Sequence, residues 1–198
     1  MASQMASQND IILYRSWQKS PIKFIGAMWG LSPQPVKAEY KERLELLIKD
    51  RNPDWAKEIT DEWFEPFIKG EHITWQQFIF LISIERALSG VGKRRITVES
   101  GHGTGKSCTL SWLIIWFLFC FKDAQVPCTA PTSSQMHDVL WKELSKWLQK
   151  LKPEIRCKFD WTSEYLRITE SPETWFARAK TAKKEAPEAL AGMHGDFV

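Results

Sequence analysis

A glycine-rich loop that runs directly into an apolar block constrains the fold of this 198-residue chain more than any other feature. Residues 99–121 read ESGHGTGKSCTLSWLIIWFLFCF. The apolar run covers the ten residues 112–121, whereas a membrane-spanning helix needs about 20. Lys106 and Lys122 flank it, and a helix that is apolar on every side lies either in lipid or in a protein core. We therefore expect a buried helix and no membrane anchor.

The composition is that of a globular protein. Hydrophobic residues make up 43% and charged residues 26% of the chain, and a formal charge of +3 does not by itself argue for a nucleic-acid partner. The 11 tryptophans are scattered, which indicates core filling. No Cys-x-x-Cys pair occurs, and Cys108, Cys120 and Cys128 fall in predicted helices or strands, so we expect reduced thiols, as in a cytoplasmic protein.

Periodicity predicts helices first and then strands alternating with helices. Residues 1–10 repeat MASQ and are expected to form a flexible leader, and residues 11–35 one short helix followed by a loop. Further helices are predicted at 36–50, 74–90, 106–121, 132–151 and 185–192, and strands at 94–100, 125–130, 165–169 and 174–179. This order favours an α/β sheet covered by helices on both faces.

Two of these helices begin with capping-box signals. Thr74 is followed three residues later by Gln77, and Gly90 stands where a helix ends. Thr132 is followed in the same way by Gln135. The apolar face of the second helix is predicted to contain Val139, Leu140, Leu144, Trp147 and Leu148.

The glycine-rich loop follows a predicted strand and precedes a predicted helix, as in the phosphate-binding signature G-x-x-x-x-G-K-[ST]. It departs from this signature at its first position, which is Ser100. Lys106 is expected to reach the β- and γ-phosphates of ATP and the Ser107 hydroxyl to bind Mg²⁺. The candidate nucleotide-binding residues are Gly101, His102, Gly103, Thr104, Gly105, Lys106 and Ser107. His102 is alternatively a solvent-facing filler.

Five segments together resemble the N-terminal ATPase half of the terminase large subunits of tailed phages, which are DNA-packaging motors. They are SPIKFIGAMWGLSPQPVK, HITWQQFIFLISIERALSG, ESGHGTGKS, CTAPTSSQMHDVLWKEL and RITESPETWFARAKTAKKEAPEALAGMHGDFV. The resemblance implies a RecA-like P-loop NTPase domain with a parallel-sheet core at 74–198, after a helical segment at 11–73. It also implies ATP and Mg²⁺ as cofactors and the host cytoplasm as the location. The partners it implies are double-stranded DNA, the portal, the small terminase subunit and further copies in a ring.

The resemblance also implies roles for individual residues. An adenine-reading glutamine corresponds to Gln76 or Gln77, although Gln77 is also needed for the capping box. Ser133, Ser134 or Gln135 is expected near the DNA path, unless this segment serves only helix capping by Thr132. The basic run contains Arg178, Lys180, Lys183 and Lys184. It either follows phosphates, or supplies Arg178 to the ATP of a neighbouring subunit, or is solvated surface.

Hydrolysis of ATP also needs an acidic pair at the end of an apolar strand. No four-residue apolar run followed by Asp-Glu occurs in the chain, and the resemblance places this strand directly after Val198. We therefore expect a P-loop core that is incomplete at its C-terminus, binds nucleotide and does not hydrolyse it, so that the catalytic residues stay unassigned. Two alternatives remain open, another P-loop DNA translocase or helicase and a catalytically inactive interaction module.

Overall fold

The computed structural model describes residues 8–101 and 103–181. The chain divides into two compact units, Met1–Thr104 and Gly105–Val198. The first is mainly helical, and the second combines helices with a four-stranded sheet. The predicted mixture of helices and strands in an α/β chain is therefore confirmed. Residues 185–192, predicted as a helix, lie outside the described residues. The same is true of residues 1–7 of the predicted leader.

The first unit packs helices around one aromatic and aliphatic core. In the described residues its elements are α1 (Gln8–Lys19), α2 (Pro21–Trp29), β1 (Ser32–Pro33), a 3₁₀ turn (Ala38–Tyr40), α3 (Lys41–Lys49), a second 3₁₀ turn (Asp61–Trp63), β2 (His72–Ile73) and α4 (Trp75–Leu88). The two short strands pair in parallel. The buried core cluster consists of Leu44, Leu47, Trp55, Ile59, Trp63, Phe64 and Ile82.

The prediction of a single helix followed by a loop in residues 11–35 is wrong, because a second helix, α2, begins at Pro21. Ser20 and Pro21 look like a turn in the sequence but act as the N-cap and first residue of α2. The Ser20 hydroxyl accepts a hydrogen bond from the Lys23 backbone N–H at 3.1 Å. Gly30, with φ of 70°, ends the helix.

The predictions for α3 and α4 are confirmed. Thr74 and Gln77 form both hydrogen bonds of the capping box at the start of α4, and Gly90, with φ of 75°, follows its last turn. A third contact at the same helix start was not predicted from the sequence. There the Gln34 side-chain oxygen accepts a hydrogen bond from the Trp75 backbone N–H at 3.1 Å.

Arg86 of α4 anchors the C-terminal end of α3. Arg86 is 4% exposed, and its guanidinium donates hydrogen bonds to the carbonyl oxygens of Leu47, Ile48, Asp50 and Asn52. The first two carbonyls belong to the last turn of α3, where a helix leaves acceptors without intrahelical partners, and the other two follow it. Burial lowers the pKa of Arg86, while the nearby charge of Asp50 raises it. One side chain thus joins two helices and the loop after α3.

The second unit contains a mixed sheet with strand order β3-β6-β5-β4. Its elements are α5 (Lys106–Cys120), β3 (Gln125–Ala130), a π-helix (Gln135–Trp141), α6 (Lys142–Gln149), α7 (Pro153–Arg156), β4 (Phe159–Trp161), β5 (Tyr165–Ile168) and β6 (Phe176–Thr181). Among the described strands of this sheet, β3 and β6 pair in parallel, whereas the other two pairs are antiparallel. The parallel-sheet prediction is thus correct for one pair, and α7 and β4 are additional elements.

Helix α5 is confirmed as the buried helix that the apolar block predicted. Its fully buried residues include Ile115, Leu118 and Cys120. In the part of the chain that the structure describes, no helix is both long and apolar enough to cross a membrane. None of the four cysteines, all of which the structure describes, forms a disulfide bond, and burial raises the pKa of the Cys120 and Cys128 thiols to about 12. Cys157 is exposed.

The strand predicted at 94–100 is wrong. These residues have no strand structure, and every one of them is exposed, including Ile96 and Val98. Alternating β-branched residues favour an extended backbone, but a strand forms only when a neighbouring strand supplies hydrogen bonds. The pairing shown for the described strands does not include this segment.

The helix predicted at 132–151 forms with a different inner face. A π-helix from Gln135 to Trp141 precedes α6, and its wider turn places Met136 and Trp141, five residues apart, in the core. Val139 is consequently 51% exposed, against the prediction. The Thr132 hydroxyl accepts a hydrogen bond from the Gln135 backbone N–H at 3.2 Å, which confirms one half of the predicted capping box.

We predict that Arg86→Met lowers the free energy of unfolding by about 2–3 kcal/mol, because buried carbonyl oxygens lose charged donors. Urea denaturation followed by circular dichroism measures the change. Arg86→Lys keeps the charge but not the fork of donors, and should recover only part of the loss. Arg43→Ala, which breaks an exposed ion pair with Glu58, is the control and should have little effect. Equal loss in Arg43→Ala and Arg86→Met would contradict this role.

A second prediction concerns Glu85, whose carboxylate accepts a hydrogen bond from the Ser20 hydroxyl at 2.5 Å. Burial raises its pKa above the ordinary 4.5, although hydrogen bonds from Ser20 and Ile22 and the charge of Lys23 oppose the shift. A raised pKa means that stability is greatest below the unfolded pKa and falls as pH rises through the folded pKa.

Glu85→Gln keeps an acceptor for Ser20 without the charge. Its stability relative to the native protein should therefore increase between pH 4.5 and pH 7. Urea midpoints at both pH values measure this difference, and Glu62→Gln at an exposed site serves as the control. If the stability difference between Glu85→Gln and the native protein is the same at both pH values, the Glu85 carboxyl group is not the source of the pH dependence.

Candidate functional site

The glycine-rich loop places two glycines in a backbone conformation that other residues rarely adopt. Gly103 and Gly105 both have φ of 79°, in the left-handed region that carries little cost for glycine. Gly105 also occupies the N-cap position of α5. The sequence of the loop therefore matches its backbone geometry at the two positions where a side chain would introduce strain.

A pair of hydroxyl groups closes the first part of the loop. The Ser100 hydroxyl lies 2.8 Å from the Thr104 hydroxyl, which donates to the Gly101 carbonyl oxygen at 3.2 Å. Ser100 occupies the position at which the phosphate-loop signature has its first glycine. The departure from the signature thus supplies a hydrogen bond across the loop. His102 lies outside the described residues.

Lys106 and Ser107 are the first two residues of α5, and both are half-buried. A helix N-terminus carries a partial positive charge and backbone N–H groups that attract anions. The first turn of α5 contains no acidic residue that would compete with an anion. Two hydroxyls stabilise the start of the helix, since Thr109 donates to the Gly105 carbonyl and Ser111 to the Ser107 carbonyl.

Open space adjoins the loop backbone at two glycines. A Cβ atom added at Gly101 or at Gly103 would meet no other atom within 4 Å. At Gly101, where φ is not positive, alanine would fit the structure itself. The space next to the backbone at Gly101 is therefore open.

The two candidate adenine-reading glutamines differ in their surroundings. Gln77 is 8% exposed, and its side-chain oxygen accepts the Thr74 backbone N–H at 3.0 Å. Gln76, one position earlier in α4, is exposed. The capping role of Gln77 is thus part of the structure, whereas the side chain of Gln76 faces solvent.

The predicted DNA-path residues Ser133, Ser134 and Gln135 are all exposed. The Ser134 hydroxyl donates to the Asp138 carboxylate at 2.8 Å. They lie at the start of the helical segment that follows β3, as the sequence order predicted. Apart from these bonds to Asp138 and Thr132, the geometry assigns them no chemistry.

Arg178 lies on β6 and is half-buried. Its guanidinium lies 5.1 Å from the centre of the Tyr165 ring, and Arg167 lies 4.2 Å from the same ring. At these distances the ring face attracts both cations. Lys180 continues the same strand, and Lys183 and Lys184 lie outside the described residues.

No group of three or more His, Cys, Asp or Glu side chains that could hold a metal ion occurs in residues 8–101 and 103–181. The Ser107 hydroxyl therefore stays the predicted contact for Mg²⁺.

Comparison with curated proteins found a relative, the "Probable terminase, large subunit" of Enterobacteria phage P7. The two sequences are 32% identical over 137 residues, which cover 65% of this chain and 26% of the relative. The chain thus matches about a quarter of the length of that protein. No protein-family model matches the chain. No solved structure matches it either.

The similarity extends over 137 residues, far more than the eight residues of the glycine-rich loop signature. It supports the resemblance that the five spaced sequence segments carried. The prediction is thereby confirmed at this level: the chain is related to the large subunits of phage terminases.

Proposed function

We propose that residues 101–107 bind the phosphates of ATP and that the chain forms the nucleotide-binding part of a phage DNA-packaging motor. The observation that carries this proposal is the glycine loop with two positive φ angles that leads into the N-terminus of α5. This loop and helix start have the local features of a phosphate-binding site. The relationship to a terminase large subunit supplies the biological context.

Three features favour a polyphosphate over other anions. The helix N-terminus offers N–H donors, Lys106 adds a full positive charge, and the open space at Gly101 and Gly103 admits close approach to the backbone. Charged hydrogen bonds of this kind are roughly twice as strong as neutral ones. Together they fit a ligand with several negative oxygens.

The Ser107 hydroxyl would hold Mg²⁺, which neutralises charge on the β- and γ-phosphates when it is bound with ATP. Lys106 would hold the phosphate chain by charge and orientation. Since an apolar run followed by Asp-Glu is absent from the 198 residues, we propose that these residues bind nucleotide without turning it over.

In the proposed motor, hydrolysis of ATP moves double-stranded DNA, and the portal, the small terminase subunit and further copies of the chain are partners. Exposed Ser133, Ser134 and Gln135 are the proposed DNA-facing residues. Arg178 is proposed to contact phosphate groups or the ATP of a neighbouring subunit.

The host cytoplasm is the proposed location. RecA-like organisation of residues 74–198 belongs to the same proposal.

We predict that Lys106→Ala weakens the binding of a fluorescent ATP analogue by about 10- to 100-fold, because a charged contact to phosphate is lost. Gly101→Ala should also weaken binding, since its methyl group would occupy the space next to the loop. The free energy of unfolding of Gly101→Ala should equal that of the native chain, because the added Cβ has no other atom within 4 Å. Fluorescence titration in Mg²⁺ measures both affinities, and urea denaturation measures stability.

Lys122→Ala is the matched control, because this exposed lysine follows the opposite end of α5. It should bind the analogue as the native chain does. Native affinity in both Lys106→Ala and Gly101→Ala would contradict phosphate binding by the loop. Failure of the native chain to bind would contradict the proposal as a whole.

A further prediction separates the two glutamines. Gln76→Ala should reduce the preference for an ATP analogue over the matching GTP analogue while stability stays unchanged. Gln77→Ala should instead lower the free energy of unfolding by about 1 kcal/mol, because it removes half of the capping box. The affinity ratio of the two analogues and urea midpoints measure these effects. A change of the ratio in Gln77→Ala alone would assign adenine recognition to Gln77.

A further inference from the structure

Strand β4 forms one edge of the sheet in the second unit, and among the described residues it pairs only with β5. Two hydrogen bonds fix which of its main-chain groups face β5. Thr162 N–H donates to the Tyr165 carbonyl at 2.8 Å, and Thr169 N–H donates to the Lys158 carbonyl at 3.0 Å. Since alternate residues of an antiparallel strand face its partner, the main-chain groups of Phe159 and Trp161 point away from the sheet.

The side chains of these same two residues line a cavity of about 440 Å³ beside the edge, here called the β4 cavity. Its lining consists of Ser145, Leu148, Gln149, Pro153, Arg156, Cys157, Phe159 and Trp161. Both aromatic rings also stack on other rings of the protein, Trp161 on Trp141 at 5.3 Å and Phe159 on Phe119 at 6.5 Å between ring centres. Packed aromatic side chains therefore form part of the cavity wall.

The surroundings of the cavity are basic. Four cations and two anions occur in residues 150–160, and Arg156 is exposed and lines the cavity. In the described residues no ion pair to Arg156 occurs. An occupant with a carboxylate close to an apolar group would therefore complement both the cavity and its rim.

We propose that the β4 edge binds an extended peptide segment of a partner protein as an additional strand, with an apolar side chain in the β4 cavity and a carboxylate at Arg156. Main-chain hydrogen bonds to Phe159 and Trp161 supply affinity, and the cavity selects the side chain, as in other cases of strand addition. A residue opposite Phe159 or Trp161 presents its side chain on the same face as theirs. The cavity lies on that face. This surface is independent of the proposed nucleotide site.

The experiment uses the full chain and a fluorescein-labelled peptide, Thr-Glu-Thr-Phe-Thr-Glu-Thr amide, in which the phenylalanine and both glutamates share one face of a strand. Fluorescence anisotropy should show saturable binding with a Kd below about 1 mM, within the weak range of single-peptide contacts. A peptide with N-methyl groups on phenylalanine and both glutamates should bind at least tenfold more weakly, because it cannot donate hydrogen bonds to β4.

A charge exchange tests the role of Arg156. Arg156→Glu should bind the glutamate peptide at least tenfold more weakly and bind a version with lysines in place of both glutamates more tightly than the native chain does. Arg156 is exposed, so the substitution leaves the core intact. Lys142→Glu is the control, because this exposed residue of α6 does not line the cavity. It should bind both peptides as the native chain does.

Cys157 reports where the peptide binds. It is an exposed thiol that lines the cavity, whereas Cys120 and Cys128 are buried. Bound peptide should slow the alkylation of Cys157 by iodoacetamide, as measured by peptide mass spectrometry. Binding without this protection places the peptide elsewhere and overturns the proposal.

Three other outcomes also overturn the proposal. The first is the absence of binding at about 1 mM peptide, and the second is equal binding of the N-methylated peptide. The third is self-association of the chain with Cys157 protected in the absence of peptide, which would identify a second copy of the chain as the occupant.

Discussion

Burial of α5 is the constraint on which the second unit depends. Apolar residues occur on all sides of this helix, so it must be covered on several sides. Strands β3 and β6 contact it, as do α6 and the π-helix. Trp112 packs edge-on against Trp147 of α6 at 5.0 Å. Because its body is fixed by this packing, the position of its first residue, Lys106, is fixed as well. A rigid N-terminus is what a preorganised anion site requires.

Helix α5 also supports the edge of the sheet that β4 forms. Phe119, near its C-terminal end, stacks on Phe159 of β4, and Lys158 lies 5.6 Å from the Phe119 ring centre. The helix therefore braces both the residues proposed to bind phosphate and the strand edge proposed to bind a peptide. Loss of its packing would affect both regions.

Features encoded within a few neighbouring residues could be predicted from the sequence. The apolar block predicted α5, Thr74 and Gln77 predicted the start of α4, and β-branched and aromatic runs predicted β3 and the β5–β6 hairpin. Features that depend on distant partners could not. Nothing near Arg86 in the sequence indicates that it binds carbonyls almost 40 residues away. The alternation at 94–100 predicted a strand, and these residues do not form one.

The two errors in helix assignment have local causes of a different kind. Ser20-Pro21 is compatible with both a turn and a helix start, and only the bond from Lys23 to Ser20 decides between them. The π-helix changes the spacing of buried residues from the usual 3.6 to five between Met136 and Trp141. A search for regular helical periodicity therefore places Val139 inside, although the geometry turns it outward.

The start of α5 directly after the glycine-rich loop could be predicted because it is a local feature, and it differs from the start of α4. At α4, Thr74, Gln77 and Gln34 supply side-chain partners for the helix start, so its backbone donors are used within the protein. At α5 the N-cap is Gly105, which has no side chain to act as a cap. A capped start stabilises the helix, whereas a glycine start keeps its approach open to an anion. The difference between Thr74 and Gly105 thus separates a helix start that is capped by a side chain from the one at which phosphate binding is proposed.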